Sequence, residues 1–337
     1  MKFRFHPIMP KEDAMKLATL KSASPDGDLV VVSSDLKRMT SAADIAPSLR
    51  QAFDDWERNR PLLEERYRRL MDGLHNAIDF DPARCHSPLP RSFQWLDGTA
   101  YESHRYRMTK GRPAPEWFLK EPAVYQGRSD GFLAPTEDVP IGSEDWGVDF
   151  EGEIAVVTSY VPYGASPAIA AAKIELVMLV NDVSLRNLQH VELQKMFGFT
   201  RSKPASVFAP VCVTPDELGA HWHDNRLHLP VRCSINGKLF GDPNAGEAVH
   251  GFDTMVSYCA LTQALSAGTI VGGGTVSNHD PKRGYATIAE ARSVEEAAQG
   301  AAKTPFLQYG DRVRIEVLNE RGESVFGAID HKIAKAG

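Results

Sequence analysis

Residues 149–157, DFEGEIAVV, open on acids and continue as an apolar strand. Side chains in a strand alternate faces, so Glu151 and Glu153 share a side that Ala155 and Val157 carry on into apolar surroundings. Two neighbouring carboxylates that leave water unpartnered cost roughly several kcal/mol each. A chain that folds this way has to give them solvent, a shared proton or a cation. The plain alternative is a strand whose first turn stays in water, and the pair alone does not separate these readings.

The segments around this strand point to a β-rich α+β fold. KLATLKSASPDGDLVVVSSD reads as two short strands joined by a Ser-Pro-Asp-Gly turn. The stretch from Ser41 to Leu74 carries apolar residues at helical spacing with Glu/Arg pairs outside, interrupted near Pro61. These make a small α+β N-terminal domain over residues 1–84, whose first fourteen residues differ in pattern and are a candidate extension. A Pro-containing linker, DPARCHSPLPRSFQW, leads into the larger part, residues 85–337. There β-patterned runs dominate: EIAVV, ELVMLVNDVS, VFAPVCVTP, LPVRCSINGKLF and DRVRIEVLNERGESVFGAI, with Asn-Gly marking a hairpin. The clearest helices are SPAIAAAKIE and RNLQHVELQKMF. Strand and helix do not alternate as in a doubly wound sheet, and no repeat is present.

With 337 residues, 42% apolar and 24% charged, the chain is long enough for a large core. A net charge of −6 with interleaved signs lacks the clustered basic surface of a nucleic-acid binder. Cys85, Cys212, Cys233 and Cys259 are too widely spaced for a zinc ribbon or a disulfide framework and read as buried free thiols. No apolar run is long enough to cross a membrane and the N-terminus lacks a secretory core, so a cytoplasmic protein is expected.

Two further stretches carry acids. In LVNDVSLRNLQ an apolar strand ends at Asn181-Asp182, and helical spacing then aligns Asp182, Arg186, Gln189 and Leu193. Asp182 either caps that helix or adds a third oxygen ligand to Glu151 and Glu153. Three carboxylates without a soft ligand suit Mg2+, Ca2+ or Mn2+ rather than zinc or copper. In WLDGTAYESHRYRM, Asp97 and His104 lie seven apart across a Gly-Thr pair, either as a turn with a surface histidine or as a fourth acid and an imidazole in one cleft.

DFEGEIAVV, LVNDVSLRNLQ, SKPASVFAP, VYQGRSDGF, SAGTIVGGG and ATIAEARS occur in an order and spacing that resembles the fumarylacetoacetate hydrolase family, over nearly all of residues 90–330. The resemblance implies the family's mixed β-sandwich roll as catalytic domain, with the small α+β domain in front of it. It implies Asp97, Glu151, Glu153 and Asp182 as ligands of Mg2+ or Ca2+, with Mn2+ as a further candidate. His104 matches the family's water-activating histidine and Glu290 the carboxylate that orients it. Lys203, Arg186 and Gln189 fall on polar residues that meet substrate oxygens, and Tyr125 and Thr269 on two further substrate contacts. A substrate-facing Tyr of the family is replaced here by Leu193, which changes the expected substrate more than the reaction.

The activity implied is metal-dependent hydrolysis of a C–C bond in a β-diketo acid of the fumarylacetoacetate or acylpyruvate type, with a homodimer as the assembly and aromatic amino acid catabolism as the setting. A decarboxylase, hydratase or isomerase acting on a 2-oxo acid is the alternative on the same fold. A metal-stabilised binding protein without turnover is the second. Three other stretches are read as uninvolved. GTIVGGGTVSN lacks the spacing of a phosphate or dinucleotide loop, HWHDNRLH reads as a solvated turn, and EEAAQGAAKTP as a mobile surface segment.

Overall fold

The N-terminal strands do not close into a sheet of their own; they extend the main one. The computed structural model describes residues 14–73 and 76–337, so the candidate N-terminal extension lies outside the described residues except for Ala14. β1 (Lys16–Leu20), β2 (Asp28–Val32) and β3 (Arg38–Ser41) form an antiparallel meander, with α1 (Leu49–Asp54) and α2 (Trp56–Met71) between it and a short β4 (Ile78–Asp79). Ser48 caps α1 by accepting from the Gln51 N–H. The break expected near Pro61 falls instead at Asp55, and Pro61 lies inside α2. The turn at Asp55 brings Phe53 and Trp56 into a stack with centroids 4.4 Å apart.

The larger part continues with β5 (Trp95–Thr99), α3 (Glu102–Met108), α4 (Glu116–Lys120), β6 (Ala123–Gln126), β7 (Val139–Ile141), β8 (Val148–Asp149) and β9 (Gly152–Thr158). Then come α5 (Pro167–Ala171), β10 (Ile174–Asn181), β11 (Ser184–Leu185), α6 (Arg186–Lys195), β12 (Val207–Phe208) and β13 (Val211–Val213). The hairpins β14 (Trp222–His223) with β15 (Arg226–Leu227) and β16 (Val231–Ile235) with β17 (Lys238–Gly241) precede α7 (Phe252–Cys259) and β18 (Thr269–Thr275). The chain ends in α8 (Ile288–Gln299), β19 (Arg312–Val317) and β20 (Ile329–Lys335).

The main sheet runs β4-β3-β2-β1-β13-β10-β9-β18-β5-β6, with β12 also on β10, and β1 joins it through β13. A second sheet runs β17-β16-β19-β20-β7. β9 and β10 are buried along their whole length, which is why they read as near-continuous apolar runs. On one face Ala155, Val157, Leu176 and Met178 pack with Leu49, Phe53, Trp56 and Leu63 of α1 and α2. On the other, Ile154, Val156, Val177 and Leu179 meet Val231, Val313 and Ile315 of the second sheet. Each fully buried side chain of this kind contributes roughly 2 kcal/mol, enough to fix three layers around the central strands.

Several local readings change. Ile174 and Glu175 open β10, so α5 is a single short turn of helix. EEAAQ is the last turn of α8, ended by Gly300 in a left-handed conformation, and Glu295 fastens the chain beyond it by accepting from the Lys303 and Thr304 N–H groups. HWHDNRLH forms the β14–β15 hairpin around Asp224-Asn225, with the His223 and His228 rings stacked. All four cysteines are buried and free, and among the described residues no helix is long and apolar enough to cross a membrane.

Candidate metal and catalytic site

The acids gather at one end of the central strands. Asp97 lies in β5 opposite Tyr125 of β6 and Gly272 of β18, so the Asp-Gly pair is strand rather than turn. Glu153 is the second residue of β9, opposite Val180 and Thr275. Asp182 directly follows β10 and Glu151 directly precedes β9; their backbones are joined by the Asp182 N–H donating to the Glu151 carbonyl at 3.0 Å. Asn181 holds the same corner, accepting from the Glu151 N–H at 3.0 Å.

The glycine run in β18 makes room for this arrangement. A Cβ on Gly272 would stand 2.3 Å from Asp97 Oδ1 and 2.5 Å from the Trp95 ring. Gly274, at φ +81°, brings the backbone close to the Gly98 carbonyl, where a Cβ would sit 2.3 Å from it. Between Gly272 and Thr275 the ladder with β9 shifts register, and Thr275 Oγ1 comes to 3.5 Å from Glu153 Oε1.

Asp97, Glu153 and Asp182 are all buried, and each offers one oxygen within 4.8 Å of the others'. Among the described residues no donor reaches Asp97 Oδ1 or Glu153 Oε2. Burial, and then Asp182, push Asp97 up to about 8. Burial and the neighbouring acids Asp97, Glu151 and Asp182 push Glu153 well above the usual carboxylate range. Hard carboxylate oxygens among neighbouring acids, with no nitrogen or sulfur ligand in the group, fit a divalent cation.

Glu151 behaves in the opposite way. Its two oxygens accept from an Arg186 terminal nitrogen at 2.6 Å and from Lys203 Nζ at 2.5 Å. Burial alone would raise its pKa, but Lys203, Arg186 and the charge of nearby His104 pull it below the usual range. Lys203 also donates to Asp182 Oδ2 at 2.7 Å, and Tyr125 donates to the same oxygen at 2.5 Å. Ser206 donates to Asp182 Oδ1 at 2.7 Å. Burial disfavours the Lys203 ammonium, yet Asp182 and Glu151 outweigh it and hold Lys203 above its ordinary value. Arg186 spans Asp149 at 2.8 Å, Glu151, Gln189 at 3.0 Å and Thr287 at 2.9 Å.

His104 projects from α3, and its Nδ1 lies 2.6 Å from Oε1 of fully buried Glu290 in the first turn of α8. Burial would raise Glu290, but the hydrogen bond and charge of His104, with the charge of Arg107, hold it below the usual carboxylate range. With Nδ1 committed to a carboxylate, Nε2 is left as the nitrogen that takes a proton. The carboxylate of Asp149 fixes the start of α8, accepting from Thr287 Oγ1 at 2.7 Å and from the Ile288 and Ala289 N–H groups at 2.8 and 2.9 Å.

The structure thus brings together Asp97, Glu151, Glu153, Asp182, His104, Glu290, Lys203, Arg186, Gln189 and Tyr125. It does not bring Thr269 to them. Thr269 opens β18 opposite Thr158, at the far end of β9 from Glu153, and its hydroxyl donates to the Ser266 carbonyl at 2.8 Å. The threonine hydroxyl near Glu153 belongs to Thr275, six residues on. Leu193 is more than half exposed on α6, none of whose residues is buried. Asp149, Arg107, Ser206 and Thr287 were not singled out from the sequence. Of these only Asp149 had a visible signal, as the acid that opens the DFEGE stretch.

Residues 94–334 match the family described as Fumarylacetoacetate (FAA) hydrolase C-terminal, and residues 15–91 match Fumarylacetoacetase N-terminal domain 2. The chain is 26% identical over 215 residues to the fumarylacetoacetate hydrolase domain-containing protein 2 homolog of Dictyostelium discoideum, covering 62% of this chain and 68% of that protein. It is 23% identical over 239 residues to the oxaloacetate tautomerase YisK of Bacillus subtilis (strain 168), covering 69% of each. Its fold is similar to that of maleylpyruvate hydrolase from Sphingobium sp. SYK-6 in complex with manganese(II) ion and pyruvate, with a TM-score of 0.64, 14% identity, and 96% and 100% of the two chains covered. Two family matches that together take in most of the sequence show that this chain belongs to the fumarylacetoacetate hydrolase family.

Proposed function

We propose that this protein hydrolyses a C–C bond in a β-diketo acid of the acylpyruvate or fumarylacetoacetate type. The observation that carries the reading is the His104–Glu290 pair, a buried carboxylate on an imidazole beside a cluster of hard oxygen ligands. Asp97, Glu153 and Asp182, with Glu151 at the edge of the set, would hold a divalent cation, which when bound would supply positive charge to polarise the substrate carbonyl and stabilise an enolate.

The chain's own residues do the rest. His104 Nε2 takes a proton from water as the water oxygen bonds to the carbonyl carbon distal to the 2-oxo acid. The C–C bond then breaks, its electron pair going to the 2-oxo acid fragment as an enolate, and the His104 proton completes that product. An ammonium has three donors, and Lys203 commits two of them to Glu151 and Asp182, so one remains for the oxyanion. Such donors are worth on the order of 3 kcal/mol in acyl-transfer sites. Glu151 and Arg186 keep Lys203 aimed.

A second reading is enol–keto tautomerisation of a 2-oxo diacid, favoured by the likeness to the oxaloacetate tautomerase. It uses the same base without adding water. Incubation with an acylpyruvate and, separately, with oxaloacetate, each with Mg2+, Mn2+ or after chelation, separates the two. Metal-dependent release of pyruvate that is lost in His104→Ala supports hydrolysis. Loss of enol absorbance from oxaloacetate without any cleavage of acylpyruvate refutes it, and no turnover of either leaves a binding protein.

A further inference from the structure

Both oxygens of Glu290 are taken by one helix. Oε1 pairs with His104 Nδ1 at 2.6 Å, and Oε2 accepts from an Arg107 terminal nitrogen at 2.7 Å. His104 and Arg107 are three residues apart on α3, so they share the face that α3 lays against α8. Arg107 is itself buried, reaches Ser277 Oγ at 3.2 Å, and stacks its guanidinium 5.0 Å from the Tyr285 ring. Its carbonyl accepts from Ser293 Oγ at 2.6 Å, one turn beyond Glu290 on α8. Two adjacent turns of α3 and α8 are therefore fastened together at the base.

One oxygen of Glu290 is enough to orient His104; the guanidinium on the other oxygen adds charge. With Arg107 present the trio is neutral while the imidazole is neutral, and it becomes cationic when the imidazole takes a proton. Without Arg107, the lone carboxylate would favour the imidazolium, and a protonated histidine cannot act as a base. Glu151, whose charge also acts on His104, is itself held by Arg186 and Lys203. Tyr285 faces Arg107 and Glu290 from the loop before α8, and Glu295 acts on Tyr285 from further out. Lys110 and Glu296 pair with each other at 3.0 Å at the outer ends of the two helices.

We propose that Arg107 is a positioning residue for the His104 base, acting through Glu290: it locks the carboxylate that aims the imidazole and offsets that carboxylate's charge. The use made of the base rests on the hydrolase reading; the charge effect rests on the geometry alone. Two readouts on the full chain with Mg2+ test it. One is an NMR titration of the His104 ring, assigned by its loss in His104→Ala. The other is the pH profile of kcat/KM for pyruvate release from an acylpyruvate.

Arg107→Met is expected to raise both the His104 midpoint and the acid limb of the profile by on the order of one pH unit. Arg107→Lys keeps the charge, so both should stay near the wild-type positions while kcat falls, because an ammonium cannot reproduce the planar fork. Arg107→Gln provides the same neutral substitution should the Met variant not fold. Unmoved midpoints in the neutral variants, or equal shifts in the Lys and neutral variants, would overturn the proposal. A moved midpoint together with His104→Ala turning over normally supports the Arg107 effect and sinks the hydrolase reading instead.

Discussion

A single methyl group at Gly272 is the sharpest test of the site's construction. The backbone there is not in the left-handed region, so an alanine is conformationally acceptable and its effect is steric. Its Cβ would stand 2.3 Å from Asp97 Oδ1 and 2.5 Å from the ring of Trp95, which is buried and cannot retreat. An ordinary contact needs about 3.4 Å, so the carboxylate has to move by about 1 Å. Metal–ligand distances tolerate only about 0.2 Å, so Asp97 is lost as a ligand. Metal affinity should fall at least tenfold, about 1.4 kcal/mol. Overpacking costs a further ~1–3 kcal/mol of stability, seen as a Tm lowered by several degrees. Gly273→Ala is the control, since its Cβ would meet nothing closer than Phe252 Cζ at 3.3 Å. Calorimetric titration with Mn2+ and thermal melts of both variants provide the comparison. A Gly272→Ala protein that binds Mn2+ like the wild type, or a Gly273→Ala protein that is equally damaged, would show that the space at Gly272 does not hold Asp97 in place.

Two further outcomes follow from the same geometry. Glu290→Gln should slow the chemical step by about 10²-fold or more while leaving Mn2+ affinity nearly unchanged, and combining it with His104→Ala should cost far less than the product of the single effects. Because it also strips Arg107 of its counter-charge, a fall in Tm should accompany it; multiplying kinetic effects would show that the two residues act separately. His331, buried on β20 with its Nε2 2.9 Å from Asn181 Nδ2, is held down to about 4 by burial. Its folded value lies below its unfolded value, so stability is intact above about pH 6.5 and declines by roughly 3 kcal/mol as pH falls toward 4. His331→Leu should flatten Tm against pH across that window, and an unchanged slope would refute the assignment.

How far the sequence could be read depended on the range of the interactions involved. Strands β9, β10, β16 and β19 were visible because burial on one or both faces leaves a local record of apolar residues. The Asn-Gly hairpin was visible because Asn236 and Gly237 both need positive φ. The joining of β1 to β13 was not, since pairing across nearly two hundred residues leaves no local pattern. In the site, the DFEGE and ND motifs are contiguous and stand out, whereas Arg107 reaches Glu290 across 183 residues. Thr269 and Thr275 lie in the same β18, and only the register shift at Gly272–Thr275, a feature of pairing with β9, tells which hydroxyl meets Glu153.

Glu151 and Glu153 illustrate the same limit most sharply. Two residues apart and chemically alike, they end in opposite electrostatic surroundings: Lys203 and Arg186 satisfy Glu151, while Glu153 is left with other acids. The division comes from α6 and the segment after it, which carry Arg186 and Lys203 over one corner of the cluster only. Around that corner five buried carboxylates, Asp97, Asp149, Glu151, Glu153 and Asp182, face these two cations. The excess of negative charge falls on the Asp97–Glu153 side, where Asp97 Oδ1 and Glu153 Oε2 meet no donor among the described residues. A divalent cation there removes most of that excess, whereas on the Glu151 side it would have to displace Lys203 or Arg186. The positions of the two basic residues, more than the number of acids, therefore decide which side of the cluster suits a metal.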